Sequence, residues 1–414
     1  MKTQFDNYSS VQTNSTSIQK RVLFVPGVLW GDNGITAHLM TLAKGLIEYG
    51  WEVAIASNLA SGIEGAKEEA TSAVRRFESC GVKYFFVPFS KPRLSPKKIG
   101  NTFNSLLKLD AVIHQFKPDI IHVHSLAICP YIQIIRFLHK IPFVSTCHLE
   151  PSIDRTDLKL ALWVNKHFNN TFFGDRVIAI SSELKEVFQN VLKVPEENIR
   201  LNYHGIESQN LRPPSLEERI TTRKMFELAP NSNVVCLIGR LDPVKGHDVL
   251  IDALSILKSQ GLQVVALCAG TGYKIGENMV RAKASEAGVS DLIRLLGYTD
   301  IRQVLWASDV TVLPSRQEGF GLAIVEAMLC GIVPIRTPAA GAFDQIEDGT
   351  NGFIVPFDDP IALARRLKQL LENNKLRAQM SLTTLKSARS KFTVERMTKD
   401  TIALYEELMS ENSH

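Results

Sequence analysis

The stretch VVCLIGRLDPVKGHDVLIDAL, residues 234–254, passes from an apolar run through a loop with two glycines into a segment with helical periodicity. A short apolar run rich in β-branched residues, ended by Gly, is typical of a buried strand. A strand followed by a loop and a helix is the repeating unit of an open parallel sheet. The stretch therefore predicts one βα unit of a doubly wound domain.

The same alternation recurs on both sides of this stretch. The runs before it are RVLFV, EVAIA, KYFFV, IIHVH, PFVST, RVIAI and IRLNY, and those after VVCLI are QVVALC, LIRLL, VTVL, IVPIR and GFIV. Strands that are apolar throughout, with helices between them, indicate parallel sheets covered on both faces. We therefore predict an α/β protein with two doubly wound, Rossmann-like domains, residues 21–207 and 216–392, which face each other across a cleft.

Three further segments complete the predicted organisation. Residues 1–20 are polar and are expected to form a disordered tail. Residues 208–215 contain Pro213-Pro214 and are expected to form a linker. Residues 393–414 have the pattern of a helix, which we expect to pack back towards the N-terminal domain.

The composition excludes several classes of protein. The formal net charge of the 414 residues is only +4, which predicts no nucleic-acid partner. The six cysteines lack CxxC spacing and lie mostly in apolar runs, so reduced thiols and a cytoplasmic location are expected. No apolar run approaches the ~18 residues of a membrane span, and no signal peptide is predicted.

One cluster of cations leaves a weak peripheral contact with the inner membrane face open. Aromatic side chains precede it, the full set being Phe85, Phe86, Phe89, Lys91, Arg93, Lys97 and Lys98. Such a mixture suits an anionic lipid surface or an anionic substrate. A solvated loop is the alternative interpretation, and we favour it.

Two cations follow the strand of the opening stretch. Gly239 and Arg240 end the strand, and Lys245 precedes the helix. A helix N-terminus offers N–H groups and positive potential, and cationic side chains add charge-assisted hydrogen bonds. The arrangement therefore suits a pyrophosphate, although two solvated surface cations would give the same pattern.

The stretch SRQEGFGLAIVEAMLCG, residues 315–331, places two glutamates around a glycine turn. Glu326 is the only charge in an otherwise apolar helix that starts near Leu322, and a buried carboxylate is costly unless it is satisfied. The vicinal diol of a ribose would supply two donors to it, whereas an internal salt bridge is the structural alternative. Glu318 lies in the loop, roughly 10–12 Å away by helix rise, and would meet another part of the same ligand.

Several weaker signals come from other strand ends. Gly34 begins a helix after the first strand and would allow close approach of a ligand, and Gly272 lies in a glycine loop that does not fit GxGxxG. His148 and His124 follow strands at the cleft and are candidates for hydrogen bonds to substrate, although packed histidines are as compatible with the pattern. No HExxH, Asp-x-Asp or clustered His/Cys set occurs, so no metal site and no cofactor are predicted.

With these residues assembled, the chain resembles the retaining glycosyltransferases of family 4, which have the GT-B fold. The resemblance runs from about Arg21 to the C-terminal helix. Its strongest motif is a pair of glutamates with seven residues between them, GFG among those seven, and EAM-x-x-G starting at the second glutamate. The other matching segments are DIIHVHS, PFVSTCH, VIAISS, GRLDPVKG and LLGYTDIRQVLWASDVTVLPS.

The resemblance implies a role for each matching residue. Arg240 and Lys245 would hold the pyrophosphate of a nucleotide sugar, Glu326 the ribose and Glu318 the transferred sugar. His148 would contact that sugar. The remaining implied positions are Gly34, Gly239, Gly272, Tyr298, Gly319, Phe320, Gly321 and Leu322 on the donor side, and Asn33 and His124 on the acceptor side. Two positions depart from the family pattern: Asn33-Gly34 replaces paired glycines, and His204-Gly205 replaces Asn-Gly.

The activity that follows is transfer of a hexosyl group, with retention and without a metal, from a UDP-sugar to a hydroxyl group. The acceptor would be a small molecule, a glycan or a lipid-linked compound. A nucleotide-sugar epimerase of the same fold class and a non-catalytic regulator that binds a nucleotide sugar are the alternatives. A dehydrogenase is disfavoured because VPGVLWGDNG lacks GxGxxG.

Overall fold

The structure is a computed structural model that describes residues 19–31, 34–60, 65–89, 96–148, 163, 165–167, 171–272 and 274–412. The side chains of residues 96–99, 274 and 275 are outside this description. The cations Lys91 and Arg93 and the side chains of Lys97 and Lys98 therefore lie outside the described part of the chain.

The N-terminal half alternates strands and helices around one parallel sheet. Its elements are β1 (Arg21–Leu29), α1 (Gly34–Glu48), β2 (Glu52–Leu59), α2 (Ala66–Ser79), β3 (Lys83–Phe86), α3 (Pro96–Phe116), β4 (Ile120–Val123), α4 (Cys129–His139), β5 (Phe143–Cys147), β6 (Arg176–Ala179), α5 (Ser182–Glu186) and β7 (Ile199–Leu201). The seven strands have the order β3-β2-β1-β4-β5-β6-β7, and their pairings are parallel.

The C-terminal half repeats this plan. Its elements are α6 (Leu216–Met225), β8 (Asn233–Ile238), α7 (His247–Ser259), β9 (Val264–Ala269), α8 (Lys274–Glu286), β10 (Ile293–Gly297), α9 (Ile301–Ala307), β11 (Val310–Leu313), α10 (Leu322–Leu329), β12 (Val333–Arg336), α11 (Ala342–Gln345), β13 (Phe353–Ile354), α12 (Pro360–Glu372), α13 (Asn374–Lys391) and α14 (Val394–Glu411). The six strands have the order β10-β9-β8-β11-β12-β13, again with parallel pairings.

Two doubly wound parallel sheets therefore confirm the predicted fold class. In each sheet the strand order reverses once, between β1 and β4 and between β8 and β11. Ligands of open α/β sheets bind outside the carboxyl ends of the strands at such a reversal. Both the loop after β8 and the loop after β11 belong to the reversal of the second sheet, which is where the predicted donor residues lie.

The C-terminal helix α14 packs on the first domain. Tyr405 is fully buried, and its hydroxyl lies 2.5 Å from Nδ1 of His122, while its ring meets Trp51 edge-on at 5.3 Å. Arg176 of β6 forms ion pairs of 2.8 Å with Glu407 and 2.6 Å with Glu411. Hydrophobic burial and charge pairing together hold the helix against the sheet that precedes it in the chain.

Among the residues that the structure describes, no helix combines the length and the apolar character needed to cross a membrane.

Candidate functional site

The loop after β8 is fixed by a glycine that no other residue could replace without strain. Gly246 has φ of +72° and precedes α7, and a Cβ atom on it would lie 2.1 Å from the carbonyl oxygen of Pro314. The loop after β8 therefore contacts the end of β11 backbone to backbone. This contact brings Lys245, the residue before the glycine, beside the loop that contains Glu318.

Lys245 and Glu318 form an ion pair in this position. The Nζ atom of Lys245 lies 2.6 Å from Oε1 of Glu318, and the two side chains are 19% and 8% exposed. A hydrogen-bonded pair of opposite charges compensates for the burial of each of them. Arg240 behaves differently, since its side chain is 71% exposed and its nearest carboxylate, that of Asp242, is 3.7 Å away.

The glycine turn after Glu318 is buried and leads directly into α10. Gly321 has φ of +78° and caps this helix, and a Cβ atom on it would lie 3.1 Å from Nη1 of Arg336. The ring of Phe320 stacks on Tyr203 at 5.8 Å. Within the described part of the chain, the backbone N–H groups of Phe320, Gly321 and Leu322 have no hydrogen-bond acceptor. These N–H groups are the usual anion-binding feature of a helix N-terminus.

Arg336, at the end of β12, holds the turn in place from inside the protein. Its side chain is fully buried, and it donates to the carbonyl oxygen of Phe320 over 3.1 Å and to those of Ala339 and Ala340 over 3.0 Å each. Burial lowers the pKa of Arg336 to about 10, so it stays charged at neutral pH. Sequence reasoning missed this residue, although a single arginine at the end of the apolar run IVPIR was a visible signal.

Glu326 occupies the least buried face of α10. Leu322, Ala323 and Glu326 are half-buried, whereas the helix residues from Ile324 to Leu329 other than Glu326 are buried. Within the described ranges, no ion pair or hydrogen bond involves the carboxyl group of Glu326. Desolvation raises the pKa of its carboxyl to about 7. The salt-bridge alternative therefore has no partner among the described residues.

The two domains approach each other at the start of α10. A Cβ atom on Gly34, the first residue of α1, would lie 3.5 Å from Cδ1 of Leu322. Behind this point, Asp344 accepts hydrogen bonds of 2.8 Å from the backbone N–H of Ser182 and from the hydroxyl of Tyr203. Gly34 thus faces the helix N-terminus from the opposite wall of the cleft.

Two predicted donor-side residues, Gly272 and Tyr298, are less directly connected with the Lys245–Glu318 pair and the glycine turn. Gly272 packs against the backbone of Leu241, because a Cβ atom on it would lie 2.6 Å from that residue's carbonyl oxygen. This contact explains a glycine there without any ligand. Tyr298 follows β10, and its side chain is 78% exposed.

The histidine candidates belong to a larger buried group. His148 and His124 follow β5 and β4, and Nε2 of His148 lies 3.1 Å from Nδ1 of His124. His38, His122 and His204 complete the group. Burial lowers the pKa of all five histidines, so they are neutral at neutral pH.

His124 also lines a cavity in the first domain. The cavity has a volume of about 340 Å³ and lies at the ends of β1 and β4, with Trp30, Phe89 and Ile128 in its walls. Asn33, the other predicted acceptor-side residue, lies outside the described residues. His38 and His204 were not predicted as site residues. Their convergence depends on strand order, although the unusual His204-Gly205 pair was a visible signal.

Both domains match models of known protein families. The family model described as Glycosyltransferase Family 4 matches residues 32–210, and that of the glycosyl transferases group 1 matches residues 218–386. A D-inositol 3-phosphate glycosyltransferase of Jonesia denitrificans is 29% identical over 221 residues, which span about half of each protein, 51% of this chain and 51% of that one. An uncharacterized glycosyltransferase of Methanocaldococcus jannaschii is 24% identical over 385 residues, 90% of this chain and 94% of that protein.

Solved structures share the fold over nearly the whole length. A glycosyltransferase of Rickettsia africae has a TM-score of 0.81 at 20% identity, covering 95% of this chain and 99% of that one. Anabaena HepE in complex with UDP and glucose has a TM-score of 0.78 at 22% identity, covering 94% and 100%. With both domain models matched in order, the chain belongs to the family 4 glycosyltransferases of GT-B fold.

Proposed function

We propose that the protein transfers a hexosyl group from a UDP-sugar to a hydroxyl group, with retention of configuration at the anomeric carbon. One observation carries this proposal. A cation (Lys245), a helix N-terminus (Leu322) and a carboxylate with no ionic partner among the described residues (Glu326) converge at the strand reversal of the second sheet, opposite Gly34. A diphosphate is bound by cations and N–H groups, and the hydroxyl groups of ribose and sugar are bound by carboxylates.

The diphosphate would lie between the cations and the start of α10. Lys245 and the exposed Arg240 would neutralise its charge, and the N–H groups of Gly321 and Leu322 would donate to its oxygens. Electrostatic stabilisation of a leaving group is commonly the largest catalytic contribution in such sites. In this proposal the cations and the helix N-terminus serve the diphosphate in place of a metal ion.

Donor binding would rearrange the Lys245–Glu318 ion pair. An arriving phosphate competes for the ammonium group of Lys245, and Glu318 is then free to accept hydrogen bonds from the sugar. Glu326 would accept from the two ribose hydroxyls, which compensates for the cost of its burial. His148, at the end of β5, would contact the sugar from the first domain.

We propose retention because Glu318 and Glu326, the two carboxylates that the described residues place at this site, both have binding roles. Glu318, the carboxylate that pairs with Lys245, is proposed to accept hydrogen bonds from the sugar hydroxyl groups and not to attack the anomeric carbon. The acceptor hydroxyl would then attack from the face that the diphosphate leaves, and the departing phosphate oxygen would take its proton. The bond from the anomeric carbon to the phosphate oxygen breaks as the bond to the acceptor oxygen forms.

The choice of donor and acceptor class is supported by similar proteins. HepE structures contain UDP and UDP-glucose, and other similar proteins are named as a sucrose-phosphate synthase and an inositol-phosphate glycosyltransferase. The cavity beside His124 would receive the acceptor, which we propose to be a small molecule, a glycan or a lipid-linked compound. The free cysteines are consistent with the proposed cytoplasmic location.

A donor panel tests the proposal. UDP, GDP and ADP are compared by thermal shift, and the sugar nucleotide of the best binder is then assayed for diphosphate release, with the anomeric configuration of the product read by NMR. Stabilisation by UDP and a product of retained configuration are expected. An inverted product would contradict retention, and the absence of stabilisation by any nucleoside diphosphate would overturn the site. A sugar changed while still on its nucleotide would indicate an epimerase, and binding without turnover a regulator.

A further inference from the structure

Three histidines far apart in the sequence meet inside the first domain. His38 belongs to α1, His148 follows β5 and His204 follows β7, and all three are buried. The ring of His38 lies 4.1 Å from that of His204 and 5.0 Å from that of His148, and the third separation is 5.3 Å. The parallel sheet brings them together because its strands end at one edge.

Their ring nitrogens have no hydrogen-bond partners. Both nitrogens of His38, both of His204 and Nδ1 of His148 are buried and unpaired in the described part of the chain. His122, in the same group, contrasts with them, since its two nitrogens meet Tyr405 at 2.5 Å and Thr146 at 2.7 Å. A buried polar atom left unpaired costs about 1–3 kcal/mol. One nitrogen from each ring lies within 4.8 Å of the other two, so a single ligand could satisfy three of these five atoms.

The chemistry of the three side chains selects the kind of ligand. A neutral imidazole keeps a lone pair on one ring nitrogen, so each of the three rings can coordinate a metal ion. One nitrogen from each ring lies within 4.8 Å of the other two. Three imidazoles on a tetrahedral zinc ion stand about 3.4 Å apart, given Zn–N bonds of about 2.0–2.1 Å. The rings of His38 and His204 are stacked with 20° between their planes, so at least one of them would have to reorient for all three lone pairs to point at one ion.

We propose that His38, His148 and His204 bind one transition-metal cation, with Zn²⁺ as the expected ion. Three neutral nitrogen ligands suit zinc, copper or nickel, whereas magnesium and calcium require oxygen ligands. His148 coordinates through Nδ1, and its Nε2–H donates to Nδ1 of His124, 3.1 Å away. A hydrogen bond of this kind on the second ring nitrogen fixes the tautomer and the orientation of a metal-bound histidine. The same N–H is the group that would turn to the sugar when the donor binds.

The metal would organise the first-domain wall of the cleft. His204 also contacts Phe320, with 5.7 Å between their rings, so the cation would anchor one side of the glycine turn. Three protein ligands leave a fourth position for water. This site is distinct from the proposed diphosphate position on Lys245, and metal binding is expected whether or not the proposed transfer reaction is correct.

Metal binding is tested on the full chain, purified without a polyhistidine tag and stripped with a chelator. Zn²⁺ is titrated by calorimetry, and Co²⁺ is titrated while the visible absorption of its tetrahedral complex is recorded. One equivalent per chain is expected. His38→Ala and His204→Ala should each weaken binding at least about 10-fold, since each removes a ligand.

The matched control is His139→Ala. Asp110, His114 and His139 form a second, more exposed group of potential metal ligands on α3 and α4. This variant should keep the high-affinity equivalent, and loss of binding in it alone would overturn the assignment. X-ray absorption of the zinc-loaded wild-type protein gives a test that does not depend on variant folding. Three imidazole nitrogens would support the buried site, whereas carboxylate oxygen in the first shell, or no bound zinc, would overturn it.

Discussion

Lys245 and Glu318 neutralise each other at the reversal point of the second sheet, with 2.6 Å between Nζ and Oε1. Removal of one partner leaves the other buried and charged, which typically costs about 3–5 kcal/mol. Lys245→Met should therefore destabilise the protein by about that amount and, by removing a cation from the leaving diphosphate, lower turnover about 10²–10³-fold. Urea unfolding and steady-state assays measure the two effects.

Glu318→Gln separates the two roles of the pair. Its amide oxygen still accepts a hydrogen bond from Lys245, so we expect a loss of stability within about 1 kcal/mol. Turnover should fall because this side chain is proposed to contact the sugar. UDP affinity should be at least that of the wild-type protein, because no carboxylate then competes with the phosphate for Lys245. Unchanged turnover in this variant would contradict the proposed role of Glu318.

Because of the carboxyl group of Glu326, the free energy of unfolding should fall as pH rises. Its folded-state pKa of about 7 lies above the ordinary value of 4.5, so between these two values the folded chain keeps a proton that the unfolded chain has lost. Stability is then full below about pH 4.5 and is lost progressively up to about pH 7. With a discount for partial exposure, Glu326→Gln should be about 1–3 kcal/mol more stable than wild type at pH 8 and equal to it near pH 4.5.

Nucleotide binding should respond to the same residue with the opposite sign. An ionised Glu326 accepts from the ribose hydroxyls better than a neutral one, so UDP affinity of the wild type should rise from pH 6 to pH 8 and that of Glu326→Gln should stay flat. Calorimetric titration at both pH values measures this. Glu286→Gln, on an exposed carboxylate of α8, is the control. A Glu326→Gln variant with wild-type affinity at pH 8 would exclude the ribose contact.

Gly34→Ala tests whether the gap between the domains belongs to the donor. The added methyl would lie 3.5 Å from Leu322, an ordinary contact, so folding stability should stay within about 1 kcal/mol. The methyl would nevertheless occupy space proposed for the phosphates, and the KM for the nucleotide sugar should rise. Gly100→Ala makes the same change in α3 where no atom lies within 4 Å. Equal KM values for the two variants would place the donor elsewhere.

The sequence predicted the sheets and the reversal-point residues because both are local patterns. Apolar runs bounded by glycine predict strands, and Lys245, Glu318 and Glu326 each follow or lie near such a run. The pairing of Lys245 with Glu318 could not be predicted, because it depends on a backbone contact between residues 246 and 314. A local pattern carries no information about which loops the strand order brings into contact.

The histidine group was missed for the same reason. His38, His148 and His204 are separated by more than a hundred residues in total and show no ligand spacing in the sequence. Only the strand order β1-β4-β5-β6-β7 brings their elements to one edge. The expectation of no metal site was drawn from ligand spacing and from the resemblance to family 4, and it stays a prediction. Spacing is informative only where ligands come from neighbouring turns of the chain.

The conformation of the glycine turn should depend on Arg336, a residue that is not proposed to contact a ligand. Arg336→Met would remove the donor to the carbonyl oxygen of Ala340 and to Oε1 of Gln345, so a loss of about 1–3 kcal/mol is expected for each. The carbonyl oxygens of Phe320 and Ala339 would keep Nε2 of Gln345 and the backbone N–H of Ala342 as donors. UDP affinity should fall as well, because the N–H groups of the turn lose their position. Arg302→Met removes an arginine whose ion pair is solvent-exposed and should cost less than about 1 kcal/mol. Urea unfolding and UDP titration compare the two variants. Similar stability and similar UDP affinity in both would show that the hydrogen bonds of Arg336 are not needed to hold the glycine turn.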